Sequence, residues 1–170
     1  MSEPSRVPTF NILLVEDNEA DIYLVRKALE GAELDFRLMV IEDGEEAVSF
    51  ARRDGKFTDS SPPHLVLLDL NLPNRGGVEV LETLRRNIYF KRVPVFVLFS
   101  SASPCELTKV NHFQVEALIT KPANLVDFLK IGYTVKEFLQ RTRDRPPKLS
   151  GLSKQVYSEA VLLAAGSGIV

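Results

Sequence analysis

The chain holds a single cysteine, Cys105, in 170 residues. One thiol cannot form an internal disulfide framework, and a lone thiol fits a reducing compartment. Histidine is scarce too: His64 and His112 are the only two, and neither has a second histidine or a cysteine at ligand spacing. No apolar run approaches the ~20 residues needed to span a bilayer. The stretch Met1 to Thr9 is polar, carries two prolines and has no apolar core behind basic residues, so no secretory signal is expected. An excess of one charge is also missing, since a net charge of −2 creates no general attraction for nucleic acid. The one basic run, Arg141, Arg143, Arg145 and Lys148, reads as a charge-complemented helix end. A cytoplasmic protein with neither a membrane nor a nucleic-acid partner is the expectation.

What is present is an ordinary globular composition, 45% hydrophobic and 26% charged, enough for one domain with a substantial core. The organising stretch runs from His64 to Pro73. Its apolar residues Leu65 to Leu68 follow a Pro-Pro break and read as a short strand buried on both faces, which ends abruptly at Asp69. A carboxylate at the carboxyl end of such a strand lies where open parallel sheets bind ligands. A lone aspartate there could equally cap a helix or satisfy a turn.

Strand and helix patterns alternate along the rest of the chain. Phe10 to Val15 is a first strand ending in Glu16-Asp17. A helix follows from about Glu19, with Ile22, Val25 and Leu29 on one stripe and Gly31 placed to stop it. Leu34 to Ile41 alternates as a second strand, Gly44 to Arg53 is a short helix, and Asp54 to Pro63 is a polar loop. Beyond the central strand come a helix over Val78 to Arg86, a strand over Pro94 to Phe99 and a weaker helix over Ser103 to Phe113. A strand over Val115 to Ile119 and a long helix over Asn124 to Arg141 complete the pattern. Five such alternations predict an α/β fold with a five-stranded parallel sheet, doubly wound, with helices on both faces.

Parallel strands would bring Glu16, Asp17, Asp69 and Lys121 to one edge. Three carboxylates that close repel one another and force one to hold its proton unless something compensates. A hard divalent cation with oxygen ligands is the natural compensator, Mg²⁺ in particular, and Lys121 adds a positive group for an anion. Glu16 and Asp17 could instead cap the following helix, and Lys121 could be plain surface.

The acidic pair Glu16-Asp17, Asp69 with Asn71 and Pro73 after it, Gly77, and Lys121-Pro122 resemble the motif set of a two-component response-regulator receiver domain, at matching separations from about Phe10 to Gln140. The resemblance implies a flavodoxin-like, CheY-like strand order 2-1-3-4-5. It also implies that Asp69 accepts a phosphoryl group from a kinase histidine, that Glu16, Asp17, Asp69 and the Asn71 carbonyl serve Mg²⁺, and that Lys121 contacts a phosphoryl oxygen. Leu14 to Asn18 with Ala20-Asp21, and Lys121 to Leu125, look most like stand-alone receivers that serve phytochrome-type histidine kinases. A downstream phosphotransfer protein is a further partner that this implies, and related receivers are often homodimers.

Two other classes of function compete. An aspartyl-phosphate hydrolase of the haloacid-dehalogenase type also uses a strand-end aspartate and Mg²⁺, but it needs a second acid two residues on, where Asn71 stands. A receiver-fold binding module with a weakened switch is the other reading. Phe99 stands where the family places a hydroxyl that follows the phosphoryl group, with Ser100 one residue late, and Leu118 stands where a mobile aromatic is usual. The expected division is a disordered segment 1–8, a receiver domain 9–142 and a tail 143–170. Past Arg141 fewer than thirty residues remain, too few for an effector domain. In the tail, Ser153 could cap a short helix with an apolar face of Val156, Tyr157, Ala160, Val161, Leu163 and Ala164, which would cover its own sheet or pack on another molecule.

Overall fold

The computed structural model describes residues 10–144. The expected segment 1–8 and the expected tail helix lie outside the described residues. Within them, β1 (Phe10–Val15), α1 (Glu19–Gly31), β2 (Phe36–Ile41), α2 (Gly44–Arg52), β3 (Leu65–Asp69), α3 (Gly77–Arg86), β4 (Val95–Phe99), α4 (Pro104–His112), β5 (Ala117–Thr120) and α5 (Leu125–Asp144) follow one another in strict alternation. A single 3₁₀ turn, Gly55–Phe57, interrupts the loop before β3. The strands form one sheet of order β2-β1-β3-β4-β5, and every neighbouring pair is parallel.

Side chains alternate across a strand, so each buried strand feeds two cores. Leu65 and Leu67 join Ile12, Leu14, Phe96 and Leu98 beneath α1 and α5, where Val25, Leu29, Phe128, Ile131, Val135 and Phe138 close the layer. Val66 and Leu68 face the other way, with Leu13, Val15, Val95 and Val97, beneath α2, α3 and a single buried residue of α4, Val110. All five residues of β3 are buried. Each fully buried leucine or valine contributes about 1.5–3 kcal/mol of hydrophobic free energy. The central strand is thus fixed from both sides, and so is the carboxylate at its end.

Boundaries differ from the sequence expectation where side-chain pattern and backbone pairing part company. β2 begins at Phe36 rather than Leu34, because pairing with β1 starts at Phe10↔Phe36 while Leu34 is buried in the turn before it. β5 is Ala117–Thr120 rather than 115–119, since its first partner on β4 is Phe96↔Ala117. Gly31 is the last residue of α1, and the left-handed position falls instead on Glu33 (φ 55°), after an Ala32 cap that stays right-handed. The last helix runs past Arg141 to Asp144.

Candidate functional site

In a parallel sheet the carboxyl ends of all strands share one edge. Val15, Asp69, Phe99 and Thr120 therefore deliver the residues that follow them, or themselves, to one place. The Glu16 amide donates to the Ile41 carbonyl at 3.0 Å and the Lys121 amide to the Phe99 carbonyl at 2.8 Å, so both functional positions continue a ladder rather than swing on loose loops. Behind Asp69 the chain turns sharply into α3. The Gly77 amide donates to the Leu70 carbonyl at 3.1 Å, and a Cβ on Gly77 would stand 2.2 Å from the Asp69 carbonyl oxygen. Only glycine permits that approach, which explains its place in the motif.

At the edge, the ammonium of Lys121 donates to Glu16 Oε2 at 2.7 Å, to Asp21 Oδ2 at 2.8 Å and to Asp69 Oδ2 at 3.0 Å. Asn71 donates its backbone N–H to the other Asp69 oxygen at 3.1 Å, and Asn18 does the same for Glu16 Oε1 at 3.1 Å. Glu16 and Asp69 are buried, and the Lys121 side chain is 7% exposed. Burial drives the Glu16 carboxyl up to about 7, with the nearby Asp69 charge adding to it, against the pull of Lys121. Burial opposes the Lys121 charge as well, yet its bonds to Asp21, Glu16 and Asp69 hold its proton above the ordinary lysine value.

Ligand oxygens of Glu16, Asp17 and Asp69 lie within 4.8 Å of one another. One ammonium cannot neutralise four acids, and a carboxyl pushed toward neutrality by burial, with the Asp69 charge adding to it, is what an added cation relieves. The donor set, all oxygen with one exposed member in Asp17, suits a hard divalent ion that keeps several waters.

The structure brings together Glu16, Asp17, Asp69, Asn71 and Lys121 as the sequence suggested. Asp21 was missed as a member of the site. It sits three residues after the α1 N-cap Asn18, where an acid is expected for helix reasons alone, so only the burial of Lys121 betrays its second use. Phe99 and Leu118 are half-buried, both packed against the core under α2 and α3, with Phe99 opposite Thr120 in the ladder. Ser100 is exposed, beyond the last paired residue of β4, and the ladder from Phe96 to Phe99 runs in continuous register without a bulge. His64 stands just before the central strand and accepts the Asn11 amide at Nδ1, a structural use.

Comparison with known proteins agrees with this geometry. Residues 12–131 match the family model described as the response regulator receiver domain. The chain is 37% identical over 146 residues to the response regulator Rcp1 of Synechocystis sp., covering 86% of this chain and 99% of that one. It also superposes on the crystal structure of the phosphorylated cyanobacterial phytochrome response regulator RcpA with a TM-score of 0.71, at 38% identity, over 78% of this chain and 95% of that one. The Mn²⁺-bound form of Rcp1 matches with a TM-score of 0.70 at 34% identity, over 84% and 99% of the two chains. A buried strand-end aspartate, an acidic pair and an ammonium on one sheet edge, within this strand order and these relatives, place the chain in the response regulator receiver domain family.

Proposed function

We propose that the protein is a stand-alone response regulator that accepts a phosphoryl group on Asp69 from a phytochrome-type sensor histidine kinase. The observation that carries this is the convergence of a buried lysine and the acidic pair on one buried aspartate at the tip of the central strand. An Asp69 oxygen attacks the phosphorus of a phosphohistidine, the O–P bond forms as the P–N bond breaks, and the imidazole leaves with the electron pair. Asp69 has one oxygen pinned by the Asn71 amide and the other by Lys121, so the attacking group is already oriented. Lys121, whose side chain is nearly buried, then turns its third N–H from Asp69 to a phosphoryl oxygen and so holds developing negative charge. Glu16, Asp17, Asp69 and the Asn71 carbonyl would hold Mg²⁺, which neutralises charge on the transferring group. The protein acts on itself once per phosphoryl group and is not a turnover enzyme, because position 71 is asparagine and supplies no general acid.

The division into a receiver over 9–142, flanked by segments 1–8 and 143–170, belongs to the same reading. So do a cytoplasmic location, a homodimer joined through the tail, and a downstream phosphotransfer protein as the next acceptor. The relative that supports the kinase assignment is the cyanobacterial phytochrome response regulator RcpA. Phe99 favours a second element, a weakened switch, since no hydroxyl stands at that place to follow the phosphoryl group.

The test is transfer from a histidine-phosphorylated phytochrome-type kinase to this protein. Rapid loss of label from the kinase to the parent, and none to Asp69→Asn, is expected. Transfer to the variant, or sustained release of phosphate from an ester by the parent, would overturn the assignment.

A further inference from the structure

The Lys121 ammonium has three N–H bonds, and three different carboxylates take them. Two of those carboxylates, Glu16 and Asp69, belong to the phosphoacceptor cluster. Asp21 stands apart from it, on the first turn of α1, with its side chain 24% exposed.

The ordinary use of an acid at this position does not account for what Asp21 does. An acid three residues after an N-cap commonly reaches back to the cap residue's amide, completing a capping box. Here the Asn18 amide is already taken by Glu16 Oε1 at 3.1 Å, and the Asn18 side chain caps α1 by accepting from the amides of Ala20 and Asp21. The Asp21 carboxylate is turned instead to Lys121, 100 residues away in the chain.

An ammonium held by one partner rotates about that bond. Held by two, it has one remaining N–H direction, and in this structure that direction leads to Asp69 Oδ2 at 3.0 Å. Glu16 alone is a poor anchor, because a single bond leaves the ammonium free to rotate and its other oxygen is committed to the Asn18 amide. Resting on the reading of Asp69 as phosphoacceptor, we propose that Asp21 is a positioning residue for phosphoryl transfer. With Glu16 it forms a two-point tether that aims the third N–H of Lys121 at Asp69 and at the phosphoryl oxygen that replaces the Asp69 contact. Asp21 touches neither the phosphoryl group nor the reacting oxygen; it acts through Lys121.

Asp21→Ala removes the tether, while Asp21→Asn keeps an oxygen acceptor without the charge. Both are made in the full chain and compared with the parent in two measurements. The first is the initial rate of Asp69 labelling by acetyl phosphate at saturating Mg²⁺, with Mg²⁺ affinity measured separately by calorimetry. Asp21→Ala should label about tenfold more slowly, the effect of losing one charge-assisted hydrogen bond, with Mg²⁺ affinity changed far less, and Asp21→Asn should recover most of the rate. The second is the ¹⁵N-lysine NMR signal of the Lys121 ammonium, which a fully bonded group protects from exchange with water. That signal should be present in the parent, retained in Asp21→Asn and lost in Asp21→Ala.

A parent rate in Asp21→Ala, or an unchanged ammonium signal, would overturn the proposal and reduce Asp21 to a helix-end acid. If Asp21→Ala fails to fold by thermal melting, the Asn variant decides: a rate as low as that of Lys121→Ala contradicts the tether, and a near-parent rate supports it. A parent that never labels at Asp69 contradicts the proposed function, whereas a parent with no protected Lys121 signal contradicts the tether itself, so the two failures are separate.

Discussion

At Phe99 the chemistry of the acceptor and the chemistry of the readout separate. Its backbone carbonyl holds the Lys121 amide, which serves the acceptor, while its ring packs into the core beneath α2 and α3. On the proposed reading of Asp69 as the phosphoacceptor, a hydroxyl at this place would bond a phosphoryl oxygen and pull the end of β4 with it; phenylalanine has none to offer. Loss of a charge-assisted hydrogen bond removes roughly 1.5–3 kcal/mol of coupling between label and shape. Binding of beryllofluoride, which mimics the phosphoryl group, should therefore shift amide NMR signals of β4 and α4 only slightly in the parent and strongly in Phe99→Thr. A large response in the parent that Ser100→Ala abolishes would mean that Ser100 supplies the hydroxyl. Glu16, Asp17, Asp69 and Lys121 were legible in the sequence because each follows or ends an apolar run, and position at a strand end is what the chemistry needs. Asp21 was not, since its long-range partner leaves no trace in local pattern.

Among the elements, α1 and α5 meet so closely that a Cβ on Gly132 would stand 1.9 Å from the Ala28 carbonyl oxygen. In an open helix, alanine in place of glycine is stabilising. Here Gly132→Ala should instead cost about 1–3 kcal/mol by overpacking, read as a lower urea midpoint; an unchanged or higher midpoint would show that the helices can separate freely. The loop after Asp69 is fastened elsewhere, to the start of α2. The Asp43 side chain caps α2 through the amides of Glu45 and Glu46 and also accepts from the Asn74 side chain, while Arg75 pairs with Glu45 at 2.7 Å. The bond from the Glu46 amide, the Asn74 bond and the Glu45 amide bond hold the Asp43 carboxyl below its ordinary value of 3.8. A lowered folded-state value stabilises above the unfolded value and is lost as pH falls through the folded one. Asp43→Ala should accordingly melt below the parent at neutral pH, with the gap narrowing as pH drops under about 3.8; a gap that stays constant with pH would contradict this. Helix α4 contrasts with both, holding one buried residue, Val110, and a C-terminal end that Arg85 grips at the Phe113 carbonyl, 2.8 Å away. The apolar stripes made the helices readable, but the ends of β2 and β5 were not, because pairing with a neighbour sets a strand's ends while burial extends beyond them.

For the whole molecule, the parallel sheet and its order were readable once five apolar strands alternated with amphipathic helices and the motif residues fell at their ends. That order gathers the candidate site on one edge of the sheet. Among the described residues no helix is long and apolar enough to cross a membrane. If the tail joins two copies, truncation after Asp144 should convert a dimer to a monomer in light scattering; a dimer that survives truncation would place the interface within the receiver. The most direct test of Asp69 as the acceptor is intact-mass analysis of the protein treated with acetyl phosphate and Mg²⁺. One phosphoryl group per chain, stable in acid and lost in base, absent after chelation of Mg²⁺ and absent from Asp69→Asn, is the expected result. Labelling that persists in Asp69→Asn, or that is indifferent to the chelator, would contradict it.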